Sequence, residues 1–144
     1  MSPGLASGGF NQFDHWYELR LKGNAPERRS YHSSFIYDQR LFIFGGLDIR
    51  EGSLNSLWEL NLRYLSDLEL DENSREETCM WKQCFPTGNA TAIPDKVAYH
   101  SSVVWQDKMY LFGGNNYKSK TMGSSEPLIS THLHYLNMKT MGWS

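Results

Sequence analysis

The sequence contains few cysteines, and their spacing argues against a cysteine-based site. Cys79 and Cys84 are the two cysteines among the 144 residues. They do not form a C-x-x-C pair, and no neighbouring ligands complete a zinc site around them. So few thiols indicate a reducing compartment rather than a disulfide-stabilised secreted domain. We therefore expect a cytoplasmic protein.

The sequence also lacks an excess of charge and a long apolar run. Its 14 basic and 16 acidic residues leave a net charge of −2, which argues against binding to nucleic acid or to a membrane surface. No stretch approaches the roughly 20 apolar residues that span a bilayer. The first twenty residues contain no long apolar run either, so we expect no signal peptide.

One segment of the sequence occurs twice. PERRSYHSSFIYDQRLFIFGG (26–46) and PDKVAYHSSVVWQDKMYLFGG (94–114) align without a gap, at an offset of 68 positions (94 − 26). Most differences between the two copies exchange like for like, and the tetrapeptide YHSS and the glycine pair are identical. Chance rarely produces such a match, so the sequence indicates a duplicated structural unit.

The match continues beyond the glycine pairs with shifted offsets. LWELNL (57–62) corresponds to LHYLNM (133–138), and Trp81 corresponds to Trp143. The shifts place one insertion after the glycine pair of the second unit and another before Trp81. An earlier tryptophan, Trp16, stands before Pro26 as Trp81 stands before Pro94. It therefore ends an incomplete unit that precedes the two copies.

The residue pattern of each unit predicts four short β-strands. SSFIY and SSVVW are β-branched and aromatic, and a polar turn follows each. LFIFGG and MYLFGG are too short for a helix and predict a strand buried on both faces. The segments at 57–62 and around Trp81 supply a third and a fourth strand. The fold class is therefore all-β, built from small antiparallel sheets.

The ordered unit resembles the kelch repeat, the four-stranded blade of one β-propeller class. The resemblance covers residues 15–144. The residues that carry it are Pro26, Arg28, His32, Gly45, Gly46, Trp58 and Trp81 in the first unit, and Pro94, Lys96, His100, Gly113, Gly114, Tyr135 and Trp143 in the second.

The resemblance implies an incomplete propeller. Blade one would span 26–84 and blade two, truncated, 94–144, with the fourth strand of a preceding blade at 15–22 and a flexible segment at 1–14. Propellers close with four to eight blades, so the remaining blades, or another chain, are expected partners. Alone, residues 1–144 would expose blade faces, and we expect them to associate with other chains.

The resemblance gives most of the repeated residues a structural role. The glycine pairs would allow positive φ or the close approach of another backbone, and Trp81 and Trp143 would fill the space between blades. His32 and His100 are either acid–base or metal-binding groups or buried rings that bond backbone groups of the next blade. Duplication in register favours the structural role, as it does for the adjoining serines. We expect no catalytic residue.

His132 and His134 form an H-x-H pair on the predicted third strand. Alternate strand residues share a face, so both rings would reach one metal ion. A third ligand cannot be named, and two ligands rarely make a dedicated site. We therefore favour two polar residues at a loop edge, and we expect neither a metal nor a cofactor.

Function is expected in the loops, because blades serve as scaffold. Loops 47–56 and 115–132 and the segments near 22–30 and 85–98 would share one face. The predicted partner-binding residues are Asp48, Arg50, Glu51, Asn115, Asn116, Tyr117, Lys118 and Lys120. The acidic insertion at 63–79 is either a docking surface for a basic partner or, as we favour, a solvated loop.

The favoured function is a non-catalytic interaction or scaffold module that presents these loops to a protein partner. One alternative is part of a kelch-like propeller enzyme whose metal site is completed by further blades. Another is a structural subunit of a large assembly. The sequence alone leaves these alternatives open.

Overall fold

A computed structural model describes residues 16, 18, 19, 21–63, 65, 79–117 and 128–144. Within those residues, all regular secondary structure is β. The strands, in chain order, are β1 (Ser33–Tyr37), β2 (Arg40–Phe44), β3 (Leu47–Asp48), β4 (Gly52–Ser53), β5 (Leu57–Asn61), β6 (Trp81–Cys84), β7 (Ser101–Trp105), β8 (Lys108–Phe112), β9 (Asn115–Asn116), β10 (Leu128–Ile129), β11 (Leu133–Asn137) and β12 (Gly142–Trp143).

Two four-stranded antiparallel sheets form the body of the fold. Blade one has the strand order β1-β2-β5-β6, and blade two has the order β7-β8-β11-β12. Two short ribbons, β3–β4 and β9–β10, follow the glycine pairs. The predicted all-β class and the predicted four-stranded blades are confirmed.

The first two strands of each blade meet in a two-residue hairpin. In blade one, Tyr37 pairs with Arg40 across the turn, and both central residues have positive φ, 46° at Asp38 and 57° at Gln39. Positive φ at both positions defines a type I′ turn, whose twist matches that of the flanking strands. The polar turn predicted from the sequence therefore sets the register of the sheet.

The strand register shows which residues of the two blades are equivalent. Trp81 lies opposite Leu60 and Trp143 opposite Leu136, so these tryptophans occupy the same position in their blades. The third-strand aromatics do not, because Trp58 faces Ile43 whereas Tyr135 faces Tyr110. The structural counterpart of Trp58 is His134, which faces Leu111. The alignment of 57–62 with 133–138 predicts this equivalence, and the third-strand aromatic of blade two, Tyr135, therefore lies one position later than Trp58 does in blade one.

The hydrophobic core lies between the blades. Blade one contributes a buried face of three phenylalanines and one leucine, namely Phe35, Phe42, Phe44 and Leu57. Blade two covers it with residues from four of its segments, namely Val97, Met109, Leu111, Leu136 and Trp143. The indole of Trp143 lies 5.4 Å from the ring of Phe44, measured between centroids. We call this contact the interblade interface.

The two fourth-strand tryptophans differ in burial. Trp143 is buried in the interblade interface, as the sequence predicts, whereas Trp81 is half-buried. A similar difference separates the second strands. Phe42, Ile43 and Phe44 bury both faces of β2, but on β8 Phe112 is 55% exposed. The prediction of burial on both faces is therefore wrong for β8, because no described residue covers its second face.

Two predicted segments lie wholly or partly outside the described residues. The flexible segment at 1–14 is outside them, and so are parts of the fourth strand expected at 15–22. Residues 16, 18, 19, 21 and 22 are described without a strand assignment, and Trp16 is exposed. The preceding fourth strand therefore stays a prediction.

The difference between the tryptophans gives a matched pair of variants. We expect Trp143→Ala to lower the free energy of unfolding by about 3–5 kcal/mol, the usual cost of truncating a buried tryptophan. Trp81→Ala should cost clearly less, because its ring is half-buried. Urea unfolding of both variants measures the difference. Equal losses would contradict the placement of the core between the blades.

A second matched pair uses the first glycine of each pair. A Cβ on Gly45 would lie 2.6 Å from the carbonyl oxygen of Val97 and 2.8 Å from Cε1 of His100, whereas no atom of the described residues lies within 4 Å of a Cβ on Gly113. Both glycines have positive φ, 64° and 78°. Gly113→Ala should cost about 1–2 kcal/mol for the left-handed backbone alone, and Gly45→Ala substantially more. Equal unfolding midpoints would contradict this packing.

Candidate functional site

His100 and Ser33 join the two blades by a side-chain hydrogen bond. His100 precedes β7, is buried, and places its Nε2 2.8 Å from Oγ of Ser33 at the start of β1. The edge of its ring packs on Phe44 at 5.6 Å. Burial lowers the pKa of His100 to about 4, since a charged imidazole is poorly stabilised in an apolar interface. His100 is therefore neutral near pH 7.

This serine–histidine pair does not complete a catalytic triad. A nucleophilic serine needs a histidine whose second nitrogen is oriented by another group, usually a carboxylate. Among the described residues, no carboxylate bonds to Nδ1 of His100. The interaction instead connects β1 of blade one with the start of β7 in blade two. Sequence reasoning expected the histidines to bond backbone groups of the next blade. His100 bonds the Ser33 hydroxyl of blade one, and the backbone groups of Phe44 and Val97 also interact with its ring.

His32 has a different environment. Its side chain is exposed, and its pKa is lowered by partial burial and then by the nearby charge of Arg29. Arg29 itself donates to the carbonyl oxygen of Gly45 at 2.9 Å and to Oγ of Ser56 at 3.0 Å. The resemblance singled out Arg28, which is exposed. The buried arginine that supports the glycine pair is its neighbour, Arg29.

A second hydrogen bond joins the blades at their other end. Tyr37 Oη, at the end of β1, donates to Oδ1 of Asp107 at 2.8 Å. Lys139 Nζ lies 3.1 Å from Oδ2 of the same carboxylate. The hydrogen bond from Tyr37 and the one from Lys139 hold the pKa of Asp107 below its usual value. Polar contacts therefore flank the apolar interblade interface at both ends.

The loops that follow the glycine pairs lie together on one face of the molecule. Leu47 and Ser30 exchange backbone hydrogen bonds of 2.7 and 3.0 Å, and Asn115 and Ala98 exchange bonds of 2.8 and 2.9 Å. The segments that lead into the first strands therefore share this face with the loops, as the sequence predicts. We call it the loop face.

Buried Ser53 fixes the loop of blade one to that of blade two. Its hydroxyl accepts a hydrogen bond from Tyr117 N–H at 2.8 Å and donates to the carbonyl oxygen of Asn115 at 3.1 Å. Its own N–H donates to the carbonyl oxygen of Tyr117 at 2.8 Å. Three hydrogen bonds to one buried residue hold the described parts of the two loops in a fixed relation.

Two exposed tyrosines and one half-buried tyrosine form an aromatic cluster on the loop face. The rings of Tyr31 and Tyr99 stack with centroids 3.9 Å apart, and Tyr117 lies 5.8 Å from Tyr99. Tyr31 is 54% exposed and Tyr99 48%. The hydrogen bond with Tyr31 raises the pKa of Tyr99. We call Tyr31, Tyr99 and Tyr117 the tyrosine cluster.

Sequence reasoning missed two members of this cluster. Tyr31 and Tyr99 begin the two YHSS copies, and their duplication suggested a scaffold role. Both have left-handed backbones, with φ of 56° and 63°, and Tyr99 N–H donates to the carbonyl oxygen of Tyr31 at 3.0 Å. This conformation is rare for a tyrosine, and nothing in the residue pattern signals it. The structure thus brings the first residue of each repeated motif into one surface.

The predicted partner-binding residues occupy different parts of the loop face. Arg50 and Glu51 are exposed at the tip of the first loop. Asp48 stabilises the turn, because its Oδ1 accepts hydrogen bonds from the N–H groups of Arg50 and Glu51, at 2.7 and 2.9 Å. These hydrogen bonds lower the pKa of Asp48. Asn115, Asn116 and Tyr117 are half-buried. Lys118 and Lys120 lie outside the described residues.

The remaining sequence candidates do not converge on a metal site. His134 lies on β11 and His132 just before it, with ring centroids 6.1 Å apart, and Nδ1 of His134 lies 2.9 Å from the carbonyl oxygen of Ala92. In the described part of the chain, no three side chains of His, Cys, Asp or Glu are placed to hold a metal ion. Of the acidic insertion, residues 64 and 66–78 lie outside the described ranges.

Across the described residues, no helix has the length and apolar character that a bilayer requires.

The comparisons with known proteins agree with the repeat pattern. The family model described as the KLHDC2/KLHL20/DRC7 Kelch-repeats domain matches residues 12–144. Leucine-zipper-like transcriptional regulator 1 of Homo sapiens is 31% identical over 101 residues, 70% of this chain and 10% of that protein. Kelch domain-containing protein 3 of Bos taurus is 28% identical over 101 residues, 70% of this chain and 24% of that protein. The chain therefore spans between about a tenth and a quarter of these relatives.

A solved structure gives the same answer for the fold. The structure of YjhT superposes with a TM-score of 0.55 at 18% sequence identity, covering 81% of this chain and 37% of that one. At this identity the likeness concerns the fold alone.

The burial of His100 predicts a pH dependence of stability. An unfolded chain protonates this histidine near its ordinary pKa of 6.5, whereas the folded chain resists protonation down to about 4. The unfolded state therefore binds more protons between these values, and stability falls as the pH is lowered from 6.5 towards 4. The expected loss is about 3 kcal/mol. Urea unfolding measured across this range should show a flatter profile for His100→Asn; identical profiles would contradict the assignment.

Proposed function

The chain belongs to the kelch-repeat family, and from that premise we propose that it is a non-catalytic interaction module whose loop face docks a protein partner. Members of this family commonly mediate protein–protein interactions. The observation that carries the proposal is the tyrosine cluster. It joins residues of both blades and of a loop into one exposed surface.

The composition of the loop face supports this proposal. Tyrosine is enriched at protein interfaces because it offers a large contact area with few rotatable bonds. Two exposed aliphatic residues lie on the same face, Ile49 at the tip of the first loop and Ile129 on β10, opposite Asn115. A partner would therefore meet aromatic and aliphatic groups together. The hydrogen bonds of Ser53 hold the loops in place before binding, which limits the entropy lost on docking.

The backbone strain of Tyr31 and Tyr99 also supports a binding role. A non-glycine residue in the left-handed region carries a cost of about 1–3 kcal/mol. Such a cost persists when the surrounding structure enforces it, and strained residues concentrate at functional sites. Here the strain turns two large rings outwards, towards solvent, rather than into the core.

The structure favours no catalytic alternative among the described residues. The Ser33–His100 pair lacks an orienting carboxylate, and no three metal-ligating side chains converge there. An enzyme would need groups from further blades. We therefore propose a scaffold or adaptor role, and we propose a cytoplasmic location, which the two free cysteines support.

The test is loss of binding on removal of the two rings while the backbone conformation is kept. Asparagine tolerates positive φ, so Tyr31→Asn with Tyr99→Asn removes the aromatic surface without added strain. Proteins captured from cytosol by the wild-type chain would be quantified, and the affinity of each confirmed partner measured with purified components. We expect about tenfold or greater weakening, the usual loss at an aromatic hot spot.

The matched control is Lys139→Ala, which changes the opposite end of the blades. This variant should bind every loop-face partner with unchanged affinity. Circular dichroism and thermal melting of both variants would check that the fold is retained. If the confirmed partners bind the asparagine variant as tightly as the wild type, the loop face is not the docking surface.

A further inference from the structure

The stacked pair inside the tyrosine cluster has an unusually close geometry. The ring centroids of Tyr31 and Tyr99 lie 3.9 Å apart, with an angle of 21° between the ring planes. Aromatic pairs in proteins usually have centroids about 4.5–7 Å apart and prefer offset or edge-on arrangements. A side-chain hydrogen bond also joins the two phenols. Because the hydroxyl groups meet, both rings point the same way, and the Cε carbons beside the two hydroxyls lie next to each other.

The backbone holds the two rings in this relation. Tyr99 N–H donates to the carbonyl oxygen of Tyr31 at 3.0 Å, and both residues have left-handed backbones, which few residues other than glycine adopt. The residues before them, Ser30 and Ala98, exchange backbone hydrogen bonds with the loops that follow the glycine pairs. The closeness of the rings is therefore imposed by the contact between the blades rather than by a free orientation of two surface side chains.

The third tyrosine of the cluster is held apart from this stack. The ring of Tyr117 is tilted by 59° from that of Tyr99, and Tyr117 is half-buried. Its hydroxyl accepts a hydrogen bond from Nδ2 of Asn115 at 3.0 Å, which fixes it to its own loop. Tyr31 and Tyr99 are both exposed, so a reagent in solution reaches these two rings together.

The other described tyrosines provide a comparison within the same chain. Tyr110 and Tyr135 face each other on neighbouring strands, but their centroids are 5.9 Å apart, their planes are tilted by 46°, and both residues are half-buried. The hydroxyl of Tyr37 is bonded to Asp107. Among the tyrosines that the structure describes, one pair therefore combines stacked rings, bonded hydroxyls and exposure, and that pair bridges the two blades.

We propose that Tyr31 and Tyr99 form an oxidative crosslinking site, at which a one-electron oxidant joins the two rings as dityrosine. Each phenol loses one electron and its hydroxyl proton, which gives two phenoxyl radicals. The radicals couple through a new bond between two Cε carbons, and the hydrogen on each of these carbons then moves to the oxygen and restores the hydroxyl. The pair loses two hydrogen atoms overall, and with a peroxidase as oxidant these reduce one hydrogen peroxide to two molecules of water.

The prearranged geometry makes this coupling selective. Two reacting groups held in contact have an effective concentration far above that of free side chains, so coupling within the chain outcompetes coupling between chains. The new bond connects positions 68 residues apart (99 − 31) and joins blade one to blade two. A covalent link that closes so long a loop restricts the unfolded chain. The crosslinked protein therefore resists unfolding, and thiol reductants do not reverse its carbon–carbon bond.

Peroxidase treatment of a mixture of isotope-labelled and unlabelled chains tests the proposal. The mixture is treated with a haem peroxidase and hydrogen peroxide, digested, and searched by mass spectrometry for joined peptides that have lost two hydrogens. We expect the main joined product to contain Tyr31 and Tyr99, with both halves labelled or both unlabelled. Tyr31→Phe and Tyr99→Phe keep the ring but lose the hydroxyl, so each should abolish this product. The matched control, Tyr117→Phe, should form it in the wild-type yield.

Urea unfolding of the treated chain gives a second readout. The crosslinked wild type should unfold at a higher urea concentration than the untreated chain, whereas treated Tyr31→Phe should show no such rise, which controls for oxidation of methionine and cysteine. Circular dichroism before treatment checks that each variant is folded. Joined peptides with one labelled and one unlabelled half, coupling that favours Tyr110 and Tyr135, or no joined product of Tyr31 and Tyr99 would overturn the proposal. None of these readouts needs a docking partner, so the result is independent of the proposed function.

Discussion

The burial of the aromatic face of blade one beneath blade two is the interaction on which the rest of the structure depends. Neither four-stranded sheet encloses a core of its own, since a single sheet has two faces and little thickness. Phe42 and Phe44 leave water only because Met109, Leu111 and Trp143 cover them. The described structure is therefore stabilised by the contact between its two blades, as expected for repeat proteins.

The polar residues follow from the same constraint. A repeated YHSS supplies both partners of an interblade hydrogen bond, the serine from one copy and the histidine from the next. The tyrosine before each histidine turns outwards in a left-handed conformation, and the two rings stack on the loop face. The repeated YHSS tetrapeptide thus supplies both the hydrogen bond between neighbouring blades and the two stacked tyrosines of the surface proposed to bind a partner.

Much of the fold follows from the sequence, because it depends on local patterns. The strand lengths, the hairpin turns, the positive φ of the glycine pairs and the equivalence of Trp81 with Trp143 all follow from a duplicated period. The features that the sequence pattern did not predict are set by which residues pack against a given side chain. The sequence predicts the same role for Trp81 and Trp143, but the two side chains differ in burial. It also predicts that Phe112 belongs to the core, whereas the structure leaves Phe112 exposed. Arg29 and the two motif tyrosines were missed for the same reason.

The central claim is that one core, shared by both blades, holds the described structure together. Native-state hydrogen exchange of the backbone amides of β2 and β8 tests it directly. If the core is shared, the slowest amides of both strands open with the same free energy, and Phe44→Ala lowers both by the same amount. If blade two keeps its protection when Phe44 is truncated, each blade is stabilised separately and the account is contradicted.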